Sequence, residues 1–231
     1  MLVSIILMSI GFILMILFII GKLTNYSLKV TFIKALASST FVALAFYLFF
    51  AKGYLILGIF FIVASFLGLV GDTLLGLKRF YKSKANLLNY GGFLCFASGH
   101  IVYIVGIFSY FYLPGHYLVT FLPFIAAILF SGAIIVFRKY LNLDFGNKNI
   151  PTFIYIILVG SLFFSSFALL WSYSFKNNVL LLLTIGSFCF LVSDLMLCKS
   201  YFGKYHKVES AIYSVLYYIA QFMIVFSLFF I

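Results

Sequence analysis

Apolar residues run almost unbroken along this chain, in long stretches separated by short polar punctuation. The stretches lie at roughly 2–20, 35–51, 54–77, 87–113, 117–137, 150–175, 178–198 and 211–231. Each is close to the ~20 residues that a helix needs to cross the hydrocarbon core of a bilayer. The breaks carry turn-forming residues: Gly21, Gly53, Pro114-Gly115, the 142–151 stretch, Asn177-Asn178 and Gly203. Inside a bilayer only helices and closed barrels satisfy the backbone, and runs without two-residue alternation argue for helices. The pattern predicts an all-α fold, a polytopic membrane bundle of eight transmembrane helices, with residues 1–231 forming a single transmembrane domain. The first stretch lacks a basic leading region and a small-residue cleavage site, so it reads as a retained helix and not a signal peptide.

Composition sharpens this reading. Hydrophobic residues make up 66% of the chain and charged residues 8%, too little charge to cover a soluble domain of this length. The net charge of +11 could suggest nucleic acid on a soluble protein. Here the basic residues cluster between apolar runs, as in membrane proteins that fix their orientation by charge, so no nucleic acid partner is expected. Cys95, Cys189 and Cys198 all lie within apolar runs at no metal-ligand spacing and read as small buried hydrophobes.

Thirteen of the 15 Lys and Arg fall in connections after odd-numbered stretches; only Lys52 and Lys176 follow even-numbered ones. By the positive-inside rule both termini face away from the cytoplasm. Lean loops without sorting signals point to a bacterial cytoplasmic membrane. The segment FLGLVGDTLLGLKRFYK from Phe66 also echoes FCFLVSDLMLCKSYFGK from Phe188, with Asp72 matching Asp194. Such an echo suits a duplication of a four-helix unit.

Asp72 and Asp194 are the residues that carry chemistry. Their distance along a helix from the basic residues beyond them puts the carboxyls ~9 Å and ~7 Å inside those charges. Both lie toward the C-terminal ends of their stretches, where no free N–H groups are available to cap an anion. Apolar surroundings and the helix dipole there disfavour the charged form of a carboxyl, and acids within a membrane are functional by default. His100 sits deep in the fourth stretch, with Phe96 and Tyr103 at helical spacing and Gly99 leaving room for a close approach. In the last stretch Tyr213, Tyr217 and Gln221 form one stripe, flanked by Tyr218, and the Gln221 amide needs polar partners. His116, His206 and Asp144 read as solvated loop groups, and Glu209 as a first-turn acid favoured by the dipole. The chain has no nucleophile elbow, zinc-protease helix or phosphate-binding loop. The Asn25-Tyr26-Ser27 glycosylation sequon falls in a connection expected to be cytoplasmic and is set aside.

Gly71-Asp72 followed by Leu74-Leu75, Gly92-Phe93, Gly99-His100 with Tyr103, Ser193-Asp194, and Tyr217-Tyr218 with Gln221 together resemble the lysoplasmalogenase (YhhN-like) family of eight-helix membrane enzymes. The resemblance runs from about residue 66 to the C-terminus. A Lys-Pro pair common in the family at the entry to the second span is Lys34-Ala35 here. The resemblance implies hydrolysis of the vinyl ether bond of a lysophospholipid, the lysoplasmalogen, to a fatty aldehyde and a glycerophospho-base. Vinyl ethers cleave after protonation on carbon, leaving an oxocarbenium ion for water to attack. That chemistry asks for one protonated and one ionised carboxyl, as in glycosidases, and two interacting acids supply both forms. Asp72 and Asp194 are assigned these roles, with Ser193 beside Asp194 pointing to Asp194 as the ionised one. His100, Tyr103, Tyr217 and Gln221 position substrate or water, while Lys34 and the basic connection after the third stretch hold the phosphate. No metal and no cofactor is implied.

Two other functions fit the same residues. Intramembrane acids and a four-plus-four repeat would also serve a proton-coupled or lipid transporter, and the same residues suit a lipid hydrolase acting on an ester. A silent scaffold would tolerate replacement of both aspartates.

Overall fold

The computed structural model describes residues 1–231 except 54, 55, 112, 142, 144–148 and 203–205. Asp144, Lys148, Gly203 and Lys204 therefore lie outside the described residues. Among the described residues there are eight α-helices: α1 (Leu2–Thr24), α2 (Leu28–Ala51), α3 (Ile56–Leu77), α4 (Ala85–Phe111), α5 (Tyr117–Val136), α6 (Asn149–Ser172), α7 (Asn178–Phe202) and α8 (Lys207–Phe226). All eight are long and apolar enough to cross a bilayer. The protein is an integral membrane protein.

The helices group into two compact units, Met1–Gly106 and Ile107–Phe230. In the first, α1 packs on α2 and α2 on α3. Its core is built from Phe41, Leu44 and Leu48 of α2 with Leu57, Phe61 and Ala64 of α3. In the second, α5 packs on α6, α6 on α7 and α7 on α8, around Leu162, Leu183, Phe190, Phe222 and Ile224. Ile5, Ile6, Ile13, Ile16, Leu17 and Ile20 on α1 are exposed. On a soluble protein such a surface would mark an interface; on a bilayer-length helix it is the lipid face.

Several helix ends differ from the hydropathy boundaries, each for a local reason. α2 begins at Leu28 and not at 35, because Ser27 caps it: its hydroxyl accepts from the Val30 amide. Lys29 and Lys34, which lower the local hydropathy, are therefore helical residues. α8 begins at Lys207, with Glu209 in its first turn and paired to Lys199 at 2.7 Å. α6 stops at Ser172, short of 175, where the chain turns through left-handed Ser174 and Phe175. Pro151 lies in the first turn of α6, where its missing N–H costs nothing. α7 runs to Phe202, a turn beyond the expected end at 198.

Candidate active site

In the first unit the site is built on α2 and α3. Asp72 is 2% exposed and lies five residues before the end of α3, beyond the last turn where the helix dipole acts. What governs this carboxyl is its partners. The Lys34 ammonium lies 2.8 Å from Oδ1 and also donates to the Asp72 carbonyl oxygen at 3.4 Å. The Ser38 hydroxyl donates to Oδ2 at 2.5 Å. Lys34 and Ser38 are one helical turn apart on α2, so a single face of that helix grips both carboxylate oxygens. A buried carboxylate is tolerated when paired and hydrogen-bonded in this way.

Gly71, next in sequence, lets α4 close onto this spot: a Cβ there would stand 2.8 Å from the Phe96 ring. One turn along α4, a Cβ on Gly99 would lie 3.3 Å from the Ala64 carbonyl. That is the close approach its place beside His100 predicts. His100 and Tyr103 are both buried, and the Tyr103 ring packs edge-on against Phe61 at 5.1 Å.

In the second unit the corresponding acid is Asp194 on α7, 7% exposed. The Tyr155 hydroxyl on α6 donates to its Oδ2 at 2.6 Å. Because α7 continues to Phe202, Asp194 sits about two turns from the helix end, and the dipole term expected for it does not apply. Ser193 does not serve the neighbouring acid with its hydroxyl in the way its position suggests; it donates to the Tyr213 carbonyl at 2.8 Å and ties α7 to α8. Tyr217 and Gln221 are buried on α8, with the Tyr217 ring edge-on to Phe190 at 5.4 Å.

Of the residues singled out from sequence, Lys34 and Asp72 come into direct contact. Lys34, expected at the interface as a headgroup ligand, reaches into the helix pair and holds the acid. Ser38 and Tyr155 were not among the expected site residues. The first could have been found by reading α2 from its Ser27 cap, which places Ser38 at i+4 from Lys34. Tyr155 is one of 17 tyrosines, and only the counterpart position suggested by the Asp72/Asp194 echo would single it out.

These features define the class first: a polytopic α-helical membrane protein with a buried acid on the third helix of each unit, held from the helix before it. The YhhN family model matches residues 29–228, and the chain belongs to that family, which is the family of lysoplasmalogenases. Among curated proteins and among solved structures, none matches the chain.

Proposed function

We propose that the protein is a membrane-embedded lysoplasmalogenase that hydrolyses the vinyl ether bond of lysoplasmalogens to a fatty aldehyde and a glycerophospho-base. Family membership supports the reaction class. The observation that carries the mechanism is the ammonium and hydroxyl that grip Asp72. Asp72 is matched to an ammonium and a hydroxyl, which suits a carboxylate; Asp194 is held by a phenol. The ammonium beside Asp72 favours the reverse of the assignment suggested by Ser193, with Asp72 as the base and Asp194 as the acid.

Asp194 gives its proton to the vinyl carbon remote from oxygen, leaving an oxocarbenium ion. Water adds to the cation while the Asp72 carboxylate takes its proton, producing a hemiacetal. On collapse, the departing glycerol oxygen receives the proton from Asp72 and the hemiacetal hydroxyl returns one to Asp194. Both groups end in their starting states, and no cofactor enters the balance. Lys34 and Ser38 grip both oxygens of Asp72 and aim it, while His100, Tyr103, Tyr217 and Gln221 position substrate or water. The bias of basic residues supports an orientation with both termini on the non-cytoplasmic side, and the lean loops suit a bacterial cytoplasmic membrane.

The test is aldehyde release by purified protein in detergent, where no gradient exists to drive a carrier. Wild type is expected to turn over a lysoplasmalogen in preference to an ester-linked lysolipid. Asp72→Asn and Asp194→Asn, verified as folded, are each expected to lose about 10²–10⁴-fold in kcat, the usual weight of a positioned acid or base. Absence of aldehyde from wild type, or full activity in either variant, would overturn the reading.

A further inference from the structure

A groove of about 430 Å³ runs between α2 and α3, wholly within the first unit. Contacts along the helix pair fix its direction. A Cβ on Gly76 would meet Thr31, and one on Gly58 would meet Phe49, so the two helices run antiparallel. Phe32 and Leu74 therefore stand at the end of the groove where α2 begins, and Ser39 and Phe66 at the other. The steps from Phe32 to Ser39 and from Phe66 to Leu74 make it about 10–12 Å long at 1.5 Å per residue. That is most of the ~15 Å of hydrocarbon in one leaflet, half of the bilayer core. Phe32, Leu36 and Phe66 are exposed, so the groove opens sideways to lipid.

The walls suit a hydrocarbon chain. Two hydroxyls line the groove, and both are turned back to their own helices: Ser39 donates to the Leu36 carbonyl at 2.7 Å and Thr73 to the Leu69 carbonyl at 2.9 Å. The groove is separate from the grip on Asp72. Ala35, Ser39 and Thr73 each follow a member of that grip in sequence, and one residue is a turn of about 100° around a helix. The groove thus occupies the next face round each helix, behind the ion pair.

One end of the groove carries charge. Lys29, Phe32 and Leu36 follow i, i+3, i+7 spacing and share a face of α2. Lys29 is exposed and stands about one turn beyond Phe32, at the end where α2 begins. A cation at the headgroup level, followed inward by an apolar channel of leaflet depth, has the layout of an anionic phospholipid. We propose that the groove binds an anionic diacyl phospholipid of the surrounding bilayer, with one acyl chain along α2 and α3 and the phosphate on Lys29. Chain packing is common to all bilayer lipids; the preference for this one comes from the lysine. The lipid is not a vinyl ether, and the site does not rest on the hydrolase reading.

The experiment is thermal unfolding of the purified protein in one detergent, with dioctanoyl phosphatidylglycerol or the matched phosphatidylcholine added in excess. One lysine near a membrane surface favours an anionic lipid about fivefold. Because a ligand of the folded state stabilises it by mass action, phosphatidylglycerol should raise Tm about 2–4 °C more than phosphatidylcholine. Lys29→Gln should erase that difference and Lys29→Arg should keep it. Lys139→Gln, which removes an exposed lysine of the second unit, should also keep it, which separates a site from general attraction to a basic protein. Ser39→Leu, which puts a side chain into the groove, should reduce the shift from both lipids. Glycerol phosphate, which has no chain, should give no shift. Equal shifts from the two lipids in wild type would mean annular contact only and overturn the site. So would a difference that survives Lys29→Gln, an equal loss in Lys139→Gln, or a shift with glycerol phosphate alone.

Discussion

Replacing Lys34 by Met tests whether the first-unit acid is held as a carboxylate. Methionine keeps much of the side chain's length and removes its charge, leaving Asp72, 2% exposed, with Ser38 but without the ammonium at 2.8 Å. Removing one partner of a buried ion pair costs about 3–5 kcal/mol. The Lys34 side chain is 15% exposed, so solvent screening moves the expected cost to the lower end, about 3 kcal/mol. For a chain of this size that corresponds to a fall in Tm of about 6–12 °C. The second arm is Lys34→Met combined with Asp72→Asn. The pair is then neutral on both sides, Ser38 still has an oxygen or amide to bond, and most of the lost stability should return. The assay is thermal unfolding of the purified protein in one detergent, following the four members of the cycle together. A single Lys34→Met variant as stable as wild type, or a double variant no better than the single, would refute the ion-pair account and with it the assignment of Asp72 as the base.

The remaining expectations are simpler. Tyr155→Phe removes the 2.6 Å bond to Asp194 and should cost about 1–3 kcal/mol in thermal unfolding, with kcat falling more than KM changes; an unchanged kcat would free Tyr155 of any part in placing the acid. Gly99→Ala sets a methyl 3.3 Å from the Ala64 carbonyl, a backbone atom with little room to move, and should cost about 1–3 kcal/mol; a Tm equal to wild type would show that α3 and α4 can separate there. Trp171, the single tryptophan, lies exposed near the end of α6. The proposed orientation, with both termini outside, puts it in the non-cytoplasmic leaflet, so in oriented vesicles an impermeant quencher should reach it from that side and not from the other.

The membrane class and the number of helices were legible from hydropathy alone, because eight runs of the right length leave no soluble alternative. Helix ends were legible only where a turn residue coincided with a drop in hydropathy. The start of α2 was missed because its beginning is decided by the Ser27 hydroxyl on the Val30 amide, whereas the window responds to Lys29 and Lys34. That error had a chemical consequence. With α2 taken to begin at 35, Lys34 reads as an interfacial cation; with α2 begun at Leu28, it stands one turn from Ser38 and faces an acid on α3. Asp72 and Asp194 stood out because a carboxyl in lipid is costly. Their partners did not, since a serine or tyrosine in an apolar helix is cheap and common, and only packing selects which one matters.

The two units hold their buried acids with different side chains. In each, an acid near the later part of the third helix is held by a side chain of the second: Lys34 and Ser38 for Asp72, Tyr155 for Asp194. A duplicated unit with identical partners would leave both acids in one charge state. An ether-cleaving site working near neutral pH cannot use two carboxylates, because neither could deliver a proton, nor two neutral acids, because neither could take one from water. The ammonium on Asp72 in the first unit is one feature that sets the two acids apart. A swap of partners makes the point testable: Tyr155→Lys, which offers Asp194 an ammonium, should convert the acid into a second carboxylate and abolish turnover while preserving the fold. Retained activity in that variant would mean that the charge difference between the two acids is not what drives the reaction.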